Sequence, residues 1–259
     1  MLIVLPPSEG KNSPSTGPSL DRVCLSFAGE LSKPREQVLD KLVALASGSR
    51  KRAMTTLGLT VGLSDELARD ANLMTAPCGS AIEIYAGVLY RALDWRTLSV
   101  PAQKRGESQL LVVSALFGAL RPLDLIPAYR LSMNVNLPKI GGLGAYWKKH
   151  LPRALDDIEH ELIIDMRSQA YVKAWTPDPA RTAGVRVLTE KSGKRSIVSH
   201  MAKLTRGEIT RSLLELSKSP KNISELAQAL SNHFEAFEIE VVEPAASKDL
   251  YLLNVILRG

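Results

Sequence analysis

Three short stretches of this 259-residue chain hold residues able to do chemistry in close company. Ser8-Glu9-Gly10-Lys11 offers a hydroxyl, a carboxylate and an amine in one turn. Arg121, Asp124, Tyr129 and Arg130 fall in a segment stiffened by Pro122 and Pro127, and Arg167, Ser168 and Tyr171 follow Asp165. A guanidinium presents a rigid fork of donors to a carboxylate or phosphate, so such arginines beside a phenol suit an anion. A lysine desolvated among cations can lose its proton and act as base or nucleophile. Lys11, Ser168 and Tyr171 are therefore candidate catalytic residues. Ser8, Lys11, Arg121, Asp124, Tyr129, Arg130, Arg167 and Ser168 are candidate ligand contacts. Plainer roles stay open: Asp124 can pair with an arginine to tie down its own loop, Tyr129 can be a core ring with a satisfied hydroxyl, and Lys11 can be a solvated turn residue.

Each stretch follows an apolar run. Leu110–Val113 reads as a strand buried on both faces, Leu2–Leu5 as a buried strand and Leu162–Ile164 as an apolar strand, and open α/β sheets gather ligands at the carboxyl ends of their strands. Helical spacing predicts helices over 34–45, 81–93 and 145–158, with Arg50-Lys51-Arg52 opening or flanking another. Tyr85 and Tyr90 share a groove only if their helix breaks near Gly87. The stretch 12–21 reads as a mobile loop, 97–106 as polar and exposed, and 117–129 as irregular or short-helical. Val185–Leu188 and Ser196–Ser199 read as a hairpin around a glycine-containing turn at 191–194. A helix over 222–230, with Ser224 as a possible cap, and strands over 237–242 and 250–257 complete a single domain of mixed α/β class around a central mixed sheet.

The bounds are ordinary for a globular chain: 45% hydrophobic residues and a formal charge of +6 with pI near 9.3, compatible with a polyanionic partner. No apolar run reaches bilayer length and the opening MLIVLPP lacks a basic leader, so a cytoplasmic protein without membrane contact is expected. Cys24 and Cys78, far apart, suggest neither a disulfide framework nor a zinc site, and the four histidines lack ligand spacing. Hence no metal is expected. The start lacks the GxxxxGK[ST] phosphate loop and Gly141-Gly142-Leu143-Gly144 has no strand before it, so no cofactor is expected either.

The densest basic run carries Lys191, Lys194, Arg195, Lys203 and Arg206, which could meet nucleic-acid phosphates or form a solvated face. Residues 50–74 pass through Gly58 and Gly62, and the turn at Gly62 is similar to that of a helix-hairpin-helix, whose amides meet a phosphate. The alternative is that these glycines close one helix and admit the next, with Ser64 as its cap.

Several stretches, in order along nearly the whole chain, carry a family resemblance: MLIVLPPSEGK at 1–11, YAGVLYRAL at 85–93, SALFGALRPLDLIPAYRLSM at 114–133, AYWKKHL at 145–151, IIDMRSQAYVKAW at 163–175 and SHMAKLTRGEITRSLL at 199–214. With these the chain resembles the YaaA family of bacterial peroxide stress proteins. The resemblance implies the family's own architecture, with a helix-hairpin-helix-like element and a basic cleft. It also implies a DNA-binding protein of the oxidative stress response, of low sequence specificity, which limits damage by peroxide and iron. MRSQAY at 166–171 and the PPSEGK start depart from the family's LASDEY-like and SPAKT forms and mark a divergent branch. The alternative is an enzyme acting on a small anionic or nucleotide-like substrate in the Lys, Arg, Ser and Tyr pocket. A monomer is favoured.

Overall fold

The computed structural model describes residues 1–191, 194–197 and 199–258. In chain order the strands are β1 (Leu2–Leu5), β2 (Gly79–Ser80), β3 (Leu110–Ser114), β4 (Gly118–Leu120), β5 (Leu125–Ile126), β6 (Asn136–Leu137), β7 (Gly141–Gly142), β8 (Ile163–Asp165), β9 (Thr182–Lys191), β10 (Lys194–Ile197), β11 (Phe237–Val242) and β12 (Tyr251–Arg258). The helices are α1 (Ala28–Ala46), α2 (Arg50–Leu57), α3 (Asp65–Ala71), α4 (Ala81–Ile84), α5 (Val88–Leu93), α6 (Val100–Gln109), α7 (Leu143–Lys148), α8 (Leu151–Leu155), α9 (Gln169–Val172), α10 (Ser199–Glu215) and α11 (Ile223–His233).

One mixed sheet organises the domain, in the order β11-β12-β9-β8-β1-β3-β4, with β10 on the upper part of β9. Five of these strands, β3, β1, β8, β9 and β12, run parallel, so their carboxyl ends share one edge. Every residue of β1 and β3 is buried, because both faces of the sheet are covered; such strands read as unbroken apolar runs. The register is set by Leu5 opposite Val112 and Val4 opposite Asp165. β8 pairs only with Thr182 to Gly184 of β9, which then runs on to Lys191. At about 3.3 Å per residue, β9 projects about 23 Å beyond β8, with β12 along one side and β10 on the other.

The chain departs from sequence expectation where side chains override periodicity. The expected helix 81–93 is two, α4 and α5, broken at Tyr85–Gly87, which leaves Tyr85 and Tyr90 both buried with ring centroids 5.2 Å apart. The helix expected over 145–158 is likewise divided into α7 and α8, where Pro152 starts a new helix at its first turn. The segment expected to be polar and exposed before Gly106 holds α6, with Ser99 as its cap and Ala102 and Gly106 buried. Asn222, not Ser224, caps α11; its side chain accepts from Glu225 N while the Glu225 carboxylate takes Lys221 N. Residues 117–129, expected to be irregular or short-helical, are irregular apart from the short strands β4 and β5. Ser114 Oγ accepts from Leu116 N and Phe117 N, and Gly118 turns the chain at φ +72° where a Cβ would lie 2.6 Å from the Trp147 ring. That reversal sends β4 back antiparallel to β3. The 12–21 segment is tied across the molecule by Cys78 N donating to Pro18 O. The hairpin of β9 and β10 forms as expected, and its turn residues Ser192 and Gly193 lie outside the described residues. Among the described residues no helix is long and apolar enough to cross a membrane.

Candidate functional site

The turn after β1 lies across the carboxyl edge of the sheet. It is locked there by Ala86, whose N–H donates to Ser8 Oγ at 3.0 Å and to Gly10 O at 3.2 Å. Gly87 permits the approach, since a Cβ there would stand 2.8 Å from Ser8 Cβ. Lys11 leaves this turn half-buried and folds its side chain back beneath it, donating Nζ to Ser8 O at 2.8 Å. The same Nζ lies over the Tyr129 ring at 4.0 Å and near that of Tyr85 at 5.5 Å. Burial, then the neighbouring Arg130 charge, bring the Lys11 amine down to about 7.

Beneath it the buried phenols form a hydrogen-bonded relay. Tyr85 and Tyr129 share a hydrogen bond of 3.0 Å between their hydroxyls, and Tyr129 reaches Ser114 Oγ at 2.8 Å. Tyr90 donates to Pro6 O at 2.7 Å. All three are buried, which drives their ionisation far up. Tyr129 is thus a core ring with a satisfied hydroxyl that also floors the lysine.

Asp70, on α3, completes the group and was not anticipated from the sequence. Its Oδ1 accepts from Arg130 N at 2.8 Å, while Oδ2 is buried without a partner. It is wholly buried, and burial pushes its carboxyl up to about 7. Arg130 Nη2 in turn holds Glu9 Oε2 at 3.0 Å.

A cavity of about 380 Å³ opens beside this turn. Ser8 and Glu9 come from the first predicted stretch, Ser168 and Tyr171 from the third, and Lys203 and Arg206 from α10. Ser168 is exposed and precedes α9. Tyr171 is raised by burial, partly offset by hydrogen bonds to Met133 and Ser132. Lys203 is exposed; Arg206 donates Nη2 to Val185 O at 2.8 Å, and its buried Nε has no partner. α10 can lie this close because Gly207 meets α5 where a Cβ would be 2.3 Å from Leu89 O.

Two expected members lie elsewhere, and a third is enclosed. Arg121 follows β4 back to the opposite edge of the sheet, where Nη1 donates to Ser108 O at 2.7 Å and Leu110 O at 3.0 Å. Asp124 closes that same turn by accepting from Arg121 N and from Ser26 N and Oγ. The reversal at Gly118 removes both from Lys11. Arg167 is near the edge but enclosed: Nε and Nη2 grip Asp165 at 2.8 and 2.7 Å, and Tyr171 O and Trp175 O take further donors. It holds α9 to β8 and does not reach the cavity lining.

Of the basic run, Lys191 and Lys194 are exposed at the projecting end of β9 and β10. Arg195 is drawn into ion pairs with Glu190, Glu238 and Glu240. Residues 50–74 form α2 and α3 joined by a short 3-10 turn, Val61–Leu63. Gly58 ends α2 in a left-handed conformation, with Leu59 N bonded to Met54 O. Gly62 is exposed, and Ser64 makes no side-chain cap bond to α3. No group of three or more His, Cys, Asp or Glu among the described residues is placed to hold a metal ion.

A family model described as peroxide stress protein YaaA matches residues 1–239. A UPF0246 protein of Streptomyces coelicolor is 43% identical, with 99% of this chain and 98% of that protein aligned. A UPF0246 protein of Corynebacterium glutamicum is 39% identical over 88% of this chain and 92% of its own length. One from Rickettsia bellii is 26% identical over 82% and 90%.

Proposed function

This chain belongs to the peroxide stress protein YaaA family, and from that membership we infer that it serves in peroxide stress by holding a small anionic molecule in the cavity over the carboxyl edge of its sheet. The observation that carries this is the convergence of Ser8, Ser168, Tyr171, Lys203 and Arg206, from three distant parts of the chain, on one hollow of about 380 Å³. That volume lies within the range of about 300–1,000 Å³ usual for small-molecule sites. The buried, unpartnered Nε of Arg206 is a donor in need of an acceptor, and a phosphate or carboxylate supplies one at little further cost in desolvation. The test is thermal unfolding with inorganic pyrophosphate and, separately, a nucleoside monophosphate. A ligand at about a hundred times its dissociation constant stabilises the native state by about 2.7 kcal/mol. The shift should vanish in Lys203→Glu; equal shifts in variant and parent would overturn this reading.

A second reading is binding of DNA, with low sequence specificity, as the means of limiting peroxide and iron damage. It is supported by Lys191 and Lys194, exposed where β10 pairs with the long extension of β9 beyond β8. Contacts with Lys203, Arg206 and the turn at Gly62 would be to phosphate and not to base edges, so affinity should fall steeply with salt. Titration of duplex and branched DNA at two ionic strengths decides it, since salt-independent or absent binding contradicts it.

A further inference from the structure

A second cavity, of about 300 Å³, adjoins the one of about 380 Å³: Glu9, Ser132 and Asn134 line both. Glu9 Oε2 holds Arg130 Nη2, which borders the second, at 3.0 Å. Alone, a hollow of this size is at the lower limit of small-molecule sites, about 300 Å³, and beside its neighbour it makes one site with two compartments. The compartments differ in chemistry.

The first is cationic. Arg91, Lys203 and Arg206 line it with Glu9 as their only carboxylate among the described residues, and the buried Nε of Arg206 has no partner. A dianionic phosphate belongs there. The second is neutral and hydrogen-bonding. Thr55, Thr56, Ser132 and Asn134 line it, each able to donate and to accept, and its cation, Arg130, is already engaged by Glu9. The end of α2 forms one wall. Leu59 N and Gly58 N take the Met54 and Thr55 carbonyls, and the last two carbonyls, of Thr56 and Leu57, carry the negative end of the helix. That end repels a second anion and accepts protons from hydroxyls. No aromatic ring of the described residues lines this compartment, so nothing there stacks on a base.

Resting on the anion reading of the first cavity, we propose that the ligand is a phosphorylated sugar, with its phosphate on Lys203 and Arg206 and its free hydroxyls on Thr55, Thr56, Ser132 and Asn134. The carbon chain passes between compartments where Glu9, Ser132 and Asn134 border both. A nucleotide would leave its base without a stacking partner in the second compartment. The sugars within a DNA strand have no free hydroxyl to offer it.

The test is isothermal titration of the full chain with inorganic phosphate, ribose 5-phosphate and adenosine monophosphate. Ribose 5-phosphate should bind about thirtyfold tighter than inorganic phosphate, the gain from two neutral hydrogen bonds of ordinary net strength. Thr55→Val with Thr56→Val, which keeps the shape of both side chains, should bring ribose 5-phosphate down to the level of phosphate. Phosphate binding should be unchanged in that double variant, which also reports that it is folded. Lys203→Glu should weaken both ligands, and adenosine monophosphate should bind the parent no tighter than ribose 5-phosphate. No gain from the sugar, a gain that survives in the double variant, equal weakening of both ligands there, or tighter binding of adenosine monophosphate would each overturn this proposal and leave anion binding standing. A parent that binds neither phosphate nor ribose 5-phosphate overturns the anion reading itself, and this proposal with it.

Discussion

Two cation and carboxylate sets withdrawn from solvent lie at the same edge of this sheet and have opposite characters. Arg167 and Asp165 face each other in a fork, with side chains 0% and 2% exposed, and the remaining guanidinium donors go to Tyr171 O and Trp175 O. Nothing in that set lacks a partner. Asp70 is also buried and Lys11 half-buried, yet they form no ion pair, one carboxylate oxygen is unpartnered, and desolvation moves both groups to about 7. Burial of charge is common to both; unmet hydrogen bonding belongs only to the second. That difference, and not the presence of an arginine after a strand, separates a tie from a site.

The largest expected effect breaks the closed set. Asp165→Ala strands the Arg167 guanidinium in the interior, and removal of one partner of a buried pair costs about 3–5 kcal/mol. Urea denaturation should show this loss. Asp70→Asn, which keeps the acceptor for Arg130 N, should instead be neutral or stabilising above neutral pH.

How far the two sets were legible in the sequence follows from the same contrast. Strands β1, β3 and β8 and the residues at their carboxyl ends were readable because strands buried on both faces are unbroken apolar runs. Asp70 was not readable. It ends ELARD, which looks like a solvated helix turn, and its contact, Arg130 N, is 60 residues away. Arg121 was misplaced because its position depends on one backbone angle at Gly118 and on Ser114 Oγ closing the turn, neither of which alters hydrophobic spacing. Arg167 was correctly set at the strand end, but its commitment to Asp165 two residues earlier cannot be told from a free guanidinium by composition. Lys203 and Arg206 were legible as a basic run; their presence at the cavity depends on the close packing of Gly207 on α5.

The open set should show in the pH dependence of stability. Asp70 has a folded-state value of about 7 against an ordinary 3.8, so the native state holds a proton that the unfolded chain has released, and stability falls as pH rises between these values. Lys11 lies at about 7 against an ordinary 10.5, so the unfolded chain binds the extra proton and stability rises from about pH 7 upward. Their joint contribution is a trough near pH 7 with limbs of up to about 1.4 kcal/mol per pH unit. Asp70→Asn should remove the acid limb and Lys11→Met the alkaline one, each measured as a difference from the parent. A parent whose difference curves are flat across both windows would show that the pair is closed like its neighbour.

Smaller again is Tyr129→Phe. It removes the hydroxyl between Tyr85 and Ser114 but keeps the ring under Lys11, for an expected loss of about 2 kcal/mol, the net worth of two buried hydrogen bonds at about 1 kcal/mol each.

The smallest effect on stability should come from the projecting hairpin, where function and folding separate most cleanly. Lys191 and Lys194 are exposed opposite one another in the β9 and β10 register. Two like charges directly across an antiparallel pair repel slightly, so Lys191→Ala with Lys194→Ala should change stability by no more than about 0.5 kcal/mol and in the stabilising direction. If these lysines meet DNA phosphates, the same double variant lowers the slope of log affinity against log salt by about 2. A slope that stays put, together with an undiminished pyrophosphate shift, assigns anion recognition to the cavity and leaves the hairpin as a solvated edge whose charge guards an exposed strand against pairing with another chain.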